Sequence, residues 1–211
     1  MSMERLFEAV QKKGPVCVGL DTQVSFLPAC IQKTDATDGE KIFEFNRRII
    51  DAVHSDAGCF KLQIACYEAL GLDGLRAYAK TLKYIRETGC VVISDVKRGD
   101  ISSTASLYAK AHFSGDFETD LITVNAYMGE DAVSPYYPYF EQGKGVFVLV
   151  KTSNPSGKDF QDLSVGNETL YERMAEKVSQ WGEAFIGKSG FSAVGAVTGL
   201  TYPEEFTRIR S

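Results

Sequence analysis

Six short apolar runs, rich in valine and isoleucine, recur along the chain: 16–21 (VCVGLD), 59–65 (CFKLQIA), 90–97 (CVVISDVK), 120–127 (DLITVNAY), 145–153 (GVFVLVKTS) and 191–199 (FSAVGAVTG). A strand that is apolar nearly throughout, rather than at every second residue, is buried on both faces. The run starts lie 25 to 46 residues apart, which leaves room for a crossover helix in each interval. Apolar stripes fit such helices. Ile42, Phe45, Ile49 and Val53 mark one face of 38–56, and Leu170, Met174, Val178, Trp181 and Phe185 mark one face of 167–185. A third helical region, 67–89, carries Gly71 and Gly74 near its start, which predicts a break there. Strand and helix in alternation predict a parallel sheet.

Two architectures share that alternation, an open doubly wound sheet and a βα barrel. No G-x-G-x-x-G follows the first run, and no P-loop is present. Polar residues instead stand at or near the C-terminal ends of several runs: Asp21, Asp95 with Lys97, Asn125, Ser153 and Thr198. A barrel gathers those ends around one mouth, whereas an open sheet spreads them in a line. The expected fold class is therefore α/β, a (β/α)8 TIM barrel, over a single domain spanning 1–211. Such barrels have eight units and about 250 residues. Six units are found, and the chain ends in the helical-looking TYPEEFTRIRS. The last two βα units are expected to be missing from it, with the polypeptide continuing past Ser211.

Charge and cysteine usage narrow the function. The net charge is −5 with no basic run, so neither nucleic acid nor a membrane surface is an expected partner. No apolar stretch approaches the length of a membrane span, and MSMERLFEAVQKKG lacks a signal-peptide core. The five cysteines, Cys17, Cys30, Cys59, Cys66 and Cys90, are odd in number and form no C-x-x-C. Buried free thiols in a reducing cytoplasm are expected, notably at Cys17, Cys59 and Cys90. No metal site is expected, since His54 and His112 lie far from any paired cysteines.

The chemistry concentrates in 94–105, SDVKRGDISSTA, where Asp95, Lys97 and Asp100 form D-x-K-x-x-D directly after Val91-Val92-Ile93. Asp95 and Lys97 are two apart on a strand, hence on one side of it. Asp100 and Thr104 are four apart and share a face if a helix begins near 101. Lys61 stands inside an apolar run, where a lysine is seldom buried without a partner. If the second and third strands are neighbours, Lys61 meets Asp95, and an alternating Lys–Asp–Lys–Asp array results. Such an array is either a structural salt-bridge network or an active site.

SDVKRGDISSTA resembles the signature of the orotidine 5′-phosphate decarboxylase family, in its bacterial subgroup with KRGDI. GLD (19–21), FKLQ (60–63), TVNAYMG (123–129), KTSNPSG (151–157) and VGAVTGLTYPEE (194–205) resemble that family's further motifs in order. The resemblance implies decarboxylation of orotidine 5′-monophosphate to uridine 5′-monophosphate, without cofactor, in a homodimer with shared sites. It implies that Lys97 donates a proton to C6 and that Asp95 sits against the departing carboxylate. Lys61 would hold Asp95 ionised near the ribose, Asp21 would bind ribose hydroxyls, and Asn125 and Ser153 would complete the substrate site. Asp100 and Thr104 would reach into the partner's site. The family's P-G-x-G-x-Q-G loop and phosphate-gripping arginine are absent from the sequence. Two alternatives stand beside this reading: a magnesium-dependent sugar-phosphate lyase or decarboxylase of the same suprafamily, and an inactive barrel serving as a scaffold.

Other residues carry plainer expectations. His112 reads as a surface or interface residue and Lys151 as pointing out of the barrel. Tyr136, Tyr137 and Tyr139 read as packing around prolines, and 30–41 as a solvated loop leading to a helix cap.

Overall fold

The structure, a computed structural model, describes residues 2–201 and 203–210; Tyr202 and Ser211, both within the expected terminal helical stretch, lie outside the described residues. The chain runs α1 (Ser2–Lys13), β1 (Cys17–Gly19), α2 (Ala29–Gln32), α3 (Asp38–Val53), β2 (Cys59–Gln63), α4 (Ala65–Glu68), α5 (Gly71–Glu87), β3 (Val91–Arg98), α6 (Ser102–Phe113), β4 (Leu121–Val124) and β5 (Gly145–Lys151). A short antiparallel hairpin, β6 (Ser164–Val165) and β7 (Glu168–Thr169), leads into α7 (Leu170–Gly182), β8 (Val194–Thr198) and α8 (Pro203–Arg210). Between β4 and β5 the chain crosses back mainly as 3₁₀ helix, Ser134–Gln142, with Pro138 inside it.

The sheet order is β1-β2-β3-β4-β5-β8, every pair parallel. Six of the units of a βα barrel are thus built, with neighbours following chain order, as the alternating pattern predicts. The outer face carries the larger core, where Phe60, Leu62, Val92, Ile122, Val146 and Val148 pack under the helices. The inner face is closed from below by α1, whose Met3 and Leu6 pack on Cys59, Val91, Ile93, Leu121 and Phe147. That face explains why the strands read as apolar on both sides near their starts and become polar only at their C-terminal ends.

The break in the third helical region is real: α4 and α5 are separate, and Gly71 takes φ +62°, where a side chain would be strained. The apolar stripe of α3 faces the core as expected, with Phe45, Ile49 and Val53 packed against it and Asn46 and Ile50 added to its buried side. Ile42, Asn46 and Ile50 are buried, while Phe45, Ile49 and Val53 are half-buried. Asn46 is tolerated inside because its amide is satisfied. It accepts from Thr22 Oγ1 (2.6 Å) and donates to Tyr67 Oη (2.9 Å) and Thr81 Oγ1 (3.3 Å). Thr37 caps the same helix in a full capping box with Glu40. The solvated stretch 30–41 therefore ends in a cap as expected, although α2 occupies its first residues.

Two expectations are corrected, those for Cys17 and His112, and the one for Lys151 is met. Cys59 and Cys90 are buried free thiols, but Cys17 is exposed, because it opens the edge strand β1. Lys151 does leave the barrel interior, yet it is 3% exposed. It pairs with Asp162 and with Glu205 (3.4 Å) and lies over the Tyr171 ring. His112 is 2% exposed rather than at the surface, because Ala105, Ala109, His112 and Phe113 form the inward face of α6. The tyrosines behave as expected: Tyr136 is buried, and Tyr137 packs on Phe185 with ring centroids 4.7 Å apart.

Burial, with the nearby Arg98 cation adding to it, pushes the His112 imidazole down from its ordinary 6.5 to about 4. Its Nδ1 finds no partner among the described residues. Between those two values the unfolded chain binds the proton and the folded chain does not. This contribution to stability is therefore complete above 6.5 and is lost as pH falls toward 4. Urea unfolding at pH 7 and pH 5 should show the unsubstituted chain losing about 2 kcal/mol more than His112→Gln. Equal losses would show that His112 is not held neutral. Carboxylates such as Glu44 and Glu118, held below their ordinary 4.5, lose their contribution mainly below pH 5, and they are common to both chains compared.

Candidate active site

The site begins with an irregularity in β3. Ser94 pairs with Ile122 and Arg98 with Val124, so Asp95, Val96 and Lys97 stand opposite the single residue Thr123. Lys97 takes φ +44°. That left-handed conformation costs a non-glycine residue roughly 1–2 kcal/mol, and such strain concentrates at functional sites. The bulge re-aims the strand end. It brings Lys97 Nζ to 2.6 Å from Asp95 Oδ1. Asp95 is held from two further sides. Thr123 Oγ1 donates to its Oδ1 (2.8 Å) and Gln63 Nε2 to its Oδ2 (2.9 Å). The Asp95 side chain is 15% exposed and that of Lys97 47%, so the carboxylate is fixed within the rim while the ammonium reaches the mouth.

A second pair stands beside the first. Lys61 Nζ lies 2.6 Å from both oxygens of Asp21. The expected contact of Lys61 with Asp95 is thereby corrected. Lys61 is level with Gly19 on one side and Ile93 on the other, two residues short of Asp95, whose own strand partner is Gln63. The array is two adjacent ion pairs, Asp21–Lys61 and Asp95–Lys97, rather than one continuous chain. Asp21 is steadied from behind by the buried Asn46 network. Tyr67 Oη donates to Leu20 O (2.9 Å) and Thr22 donates to Asn46, so both neighbours of Asp21 are tied to the helical layer.

The remaining expected residues lie on the same rim. Asp100 accepts from Ile101 N (2.8 Å), and Thr104 is exposed on the first turn of α6. Asn125 N donates to Arg98 O (2.7 Å), and its Oδ1 accepts from Tyr127 N (3.0 Å). Gly99 allows this close approach, since a Cβ there would stand 2.7 Å from Asn125 O. Ser153 is exposed just past the end of β5. Among the described residues, no hydrogen bond joins Asp100, Thr104, Asn125 or Ser153 to either ion pair. Gln63 and Thr123 are the residues that sequence reasoning missed. Their signal was strand parity, because 63 follows 61 and 123 precedes 125 on the inner face.

A family model described as orotidine 5′-phosphate decarboxylase / HUMPS family matches residues 14–209. This chain belongs to that family. A relative from Clostridium novyi (strain NT), named orotidine 5′-phosphate decarboxylase, is 53% identical over 210 residues, covering 99% of this chain and 73% of the relative. One of the same name from Clostridium kluyveri is 50% identical, covering 100% of this chain and 73% of the relative. Among solved structures, the OMP decarboxylase of Leishmania donovani superposes with a TM-score of 0.81 at 32% identity, covering 100% of this chain and 75% of that one. The match thus covers all six strands of the parallel sheet, including β3 and its bulge.

Proposed function

We propose that the chain decarboxylates orotidine 5′-monophosphate to uridine 5′-monophosphate in pyrimidine biosynthesis, using side chains alone. The observation that carries this is the Lys97–Asp95 pair on the bulged end of β3, in a chain about half identical to proteins named for that reaction. In the reaction, the bond from C6 to the carboxylate breaks and its electron pair stays on C6. Lys97 gives C6 its proton and is reprotonated from solvent. Its ammonium stabilises charge that exists at C6 only as the bond breaks, so the interaction is stronger in the transition state than in the ground state. Asp95, fixed by Thr123 and Gln63, stands against the substrate carboxylate, and the repulsion fades as carbon dioxide leaves. Asp21 and Lys61 hold the ribose hydroxyls, and Asn125 and Ser153 face the rest of the nucleotide.

The magnesium-dependent reading fits less well. The Asp21 and Asp95 carboxylates are each neutralised by an ammonium group at 2.6 Å, and magnesium requires oxygen ligands without a competing cation. Purified chain should convert orotidine 5′-monophosphate to uridine 5′-monophosphate at a rate unchanged by exhaustive chelation. No turnover would sink the decarboxylase reading, and turnover lost on chelation and restored by magnesium would sink the cofactor-free one.

The active unit we propose is a homodimer in which Asp100 and Thr104 complete the partner's site. Supporting it, Ile101, Leu107, Tyr127 and Met128 are exposed apolar residues around that edge, with Tyr127 83% exposed. No helix among the described residues is long and apolar enough to cross a membrane. The free thiols Cys59 and Cys90 fit a reducing cytoplasm.

A further inference from the structure

We propose that Thr123 is a positioning residue for the decarboxylation, setting both the Lys97 backbone and the Asp95 carboxylate; this rests on the roles given to those two residues above. Where β3 runs three residues against one, the regular ladder cannot supply acceptors for the amides of the bulge. Thr123 Oγ1 supplies them instead, accepting from Val96 N (3.0 Å) and Lys97 N (2.9 Å). A hydroxyl has two acceptor sites and one proton. Both acceptor sites are taken by groups that can only donate, so the proton is left to point at Asp95 Oδ1, 2.8 Å away. Thr123 itself is buried, and every capacity of its hydroxyl is used.

One oxygen therefore does two things at once. It stabilises the left-handed turn that aims Lys97 at the mouth. It also presents a donor to the carboxylate that Lys97 touches, so the two groups are held in one mutual geometry. Gln63 holds the other Asp95 oxygen from β2 but contacts neither amide of the bulge, so it cannot replace Thr123. Valine has threonine's shape without the hydroxyl. Thr123→Val would leave two amides without their acceptor and Asp95 without one of its donors, while keeping the packing.

The test compares the unsubstituted chain with Thr123→Val and Thr123→Ser. Thr123→Val should lower kcat about 100-fold with KM changed by no more than about fivefold, since alignment of reacting groups is lost rather than substrate binding. Thr123→Ser keeps the oxygen and should return kcat to within about fivefold of the unsubstituted chain. Without substrate, hydrogen exchange at the Val96 and Lys97 amides should speed up in Thr123→Val and return in Thr123→Ser. If Thr123→Val does not fold, Thr123→Ala against Thr123→Ser makes the same comparison. Turnover of Thr123→Val within threefold of the unsubstituted chain, or equal damage from valine and serine, overturns the inference while leaving the decarboxylase reading intact. An unsubstituted chain without turnover overturns that reading and the role of Thr123 in it together.

Discussion

Lys97→Ala should lower kcat for orotidine 5′-monophosphate by about 10⁴-fold or more, because in the proposed mechanism one residue supplies both the proton and the positive charge at C6. The neighbouring cations cannot take over. Lys61 is bound by both oxygens of Asp21 at 2.6 Å, and Arg98 is turned to Glu68 (3.2 Å) and the Tyr108 ring. An arginine is also a poor proton donor, since its guanidinium does not deprotonate in this range. The substitution should spare the frame of the site, because Asp95 keeps its bonds to Thr123 and Gln63. Uridine 5′-monophosphate, which has no carboxylate at C6, should then bind nearly as well as before. Orotidine 5′-monophosphate should bind less well, since Asp95 loses its neutralising partner and repels the substrate carboxylate more strongly. Rate and binding are read separately, by single-turnover absorbance and by calorimetry with product. Near-normal turnover in Lys97→Ala would remove the proton-donor assignment.

Much of this site was legible because strand chemistry is periodic. Asp95 and Lys97 two residues apart, at the end of Val91-Val92-Ile93, had to share a side, and they do. The six parallel units followed from runs too apolar to have a wet face. The bulge was not legible. Nothing in SDVKRGD marks Lys97 for φ +44°, where a glycine would have been the usual signal. Thr123 was hidden for a related reason: in DLITVNAY a threonine reads as one more β-branched strand former. The Lys61 partner was misread because strand adjacency alone does not give register. Lys61 is bonded between two strands, and level pairing with Gly19 places Asp21, not Asp95, within its reach. His112 was misread because α6 has small residues, Ala105 and Ala109, on the face it shares, and these leave no clear apolar stripe.

Two inactive variants should restore activity when mixed, if the dimer shares its sites. Asp100 sits past the end of β3, and among the described residues its carboxylate takes one hydrogen bond, from Ile101 N at 2.8 Å. Thr104 is exposed four residues on, with Ile101 and Leu107 exposed beside it on α6 and the turn before it. In the proposed dimer, this carboxylate and hydroxyl, flanked by exposed Ile101 and Leu107, serve a neighbour across a two-fold axis, where the same patch meets itself. In an Asp100→Ala homodimer each site lacks the aspartate, and in a Lys97→Ala homodimer each lacks the lysine. In the mixed dimer, the site built on the Asp100→Ala chain has its own Lys97 and receives Asp100 from the partner, so it is whole. The other site lacks both. Random reassortment of equal amounts makes half the dimers mixed, with one working site of two, which predicts recovery to about a quarter of unsubstituted activity. Native mass spectrometry of differently tagged chains establishes that exchange has occurred. Exchange with no recovered turnover would show that Asp100 acts within its own chain, and the shared-site dimer would be abandoned.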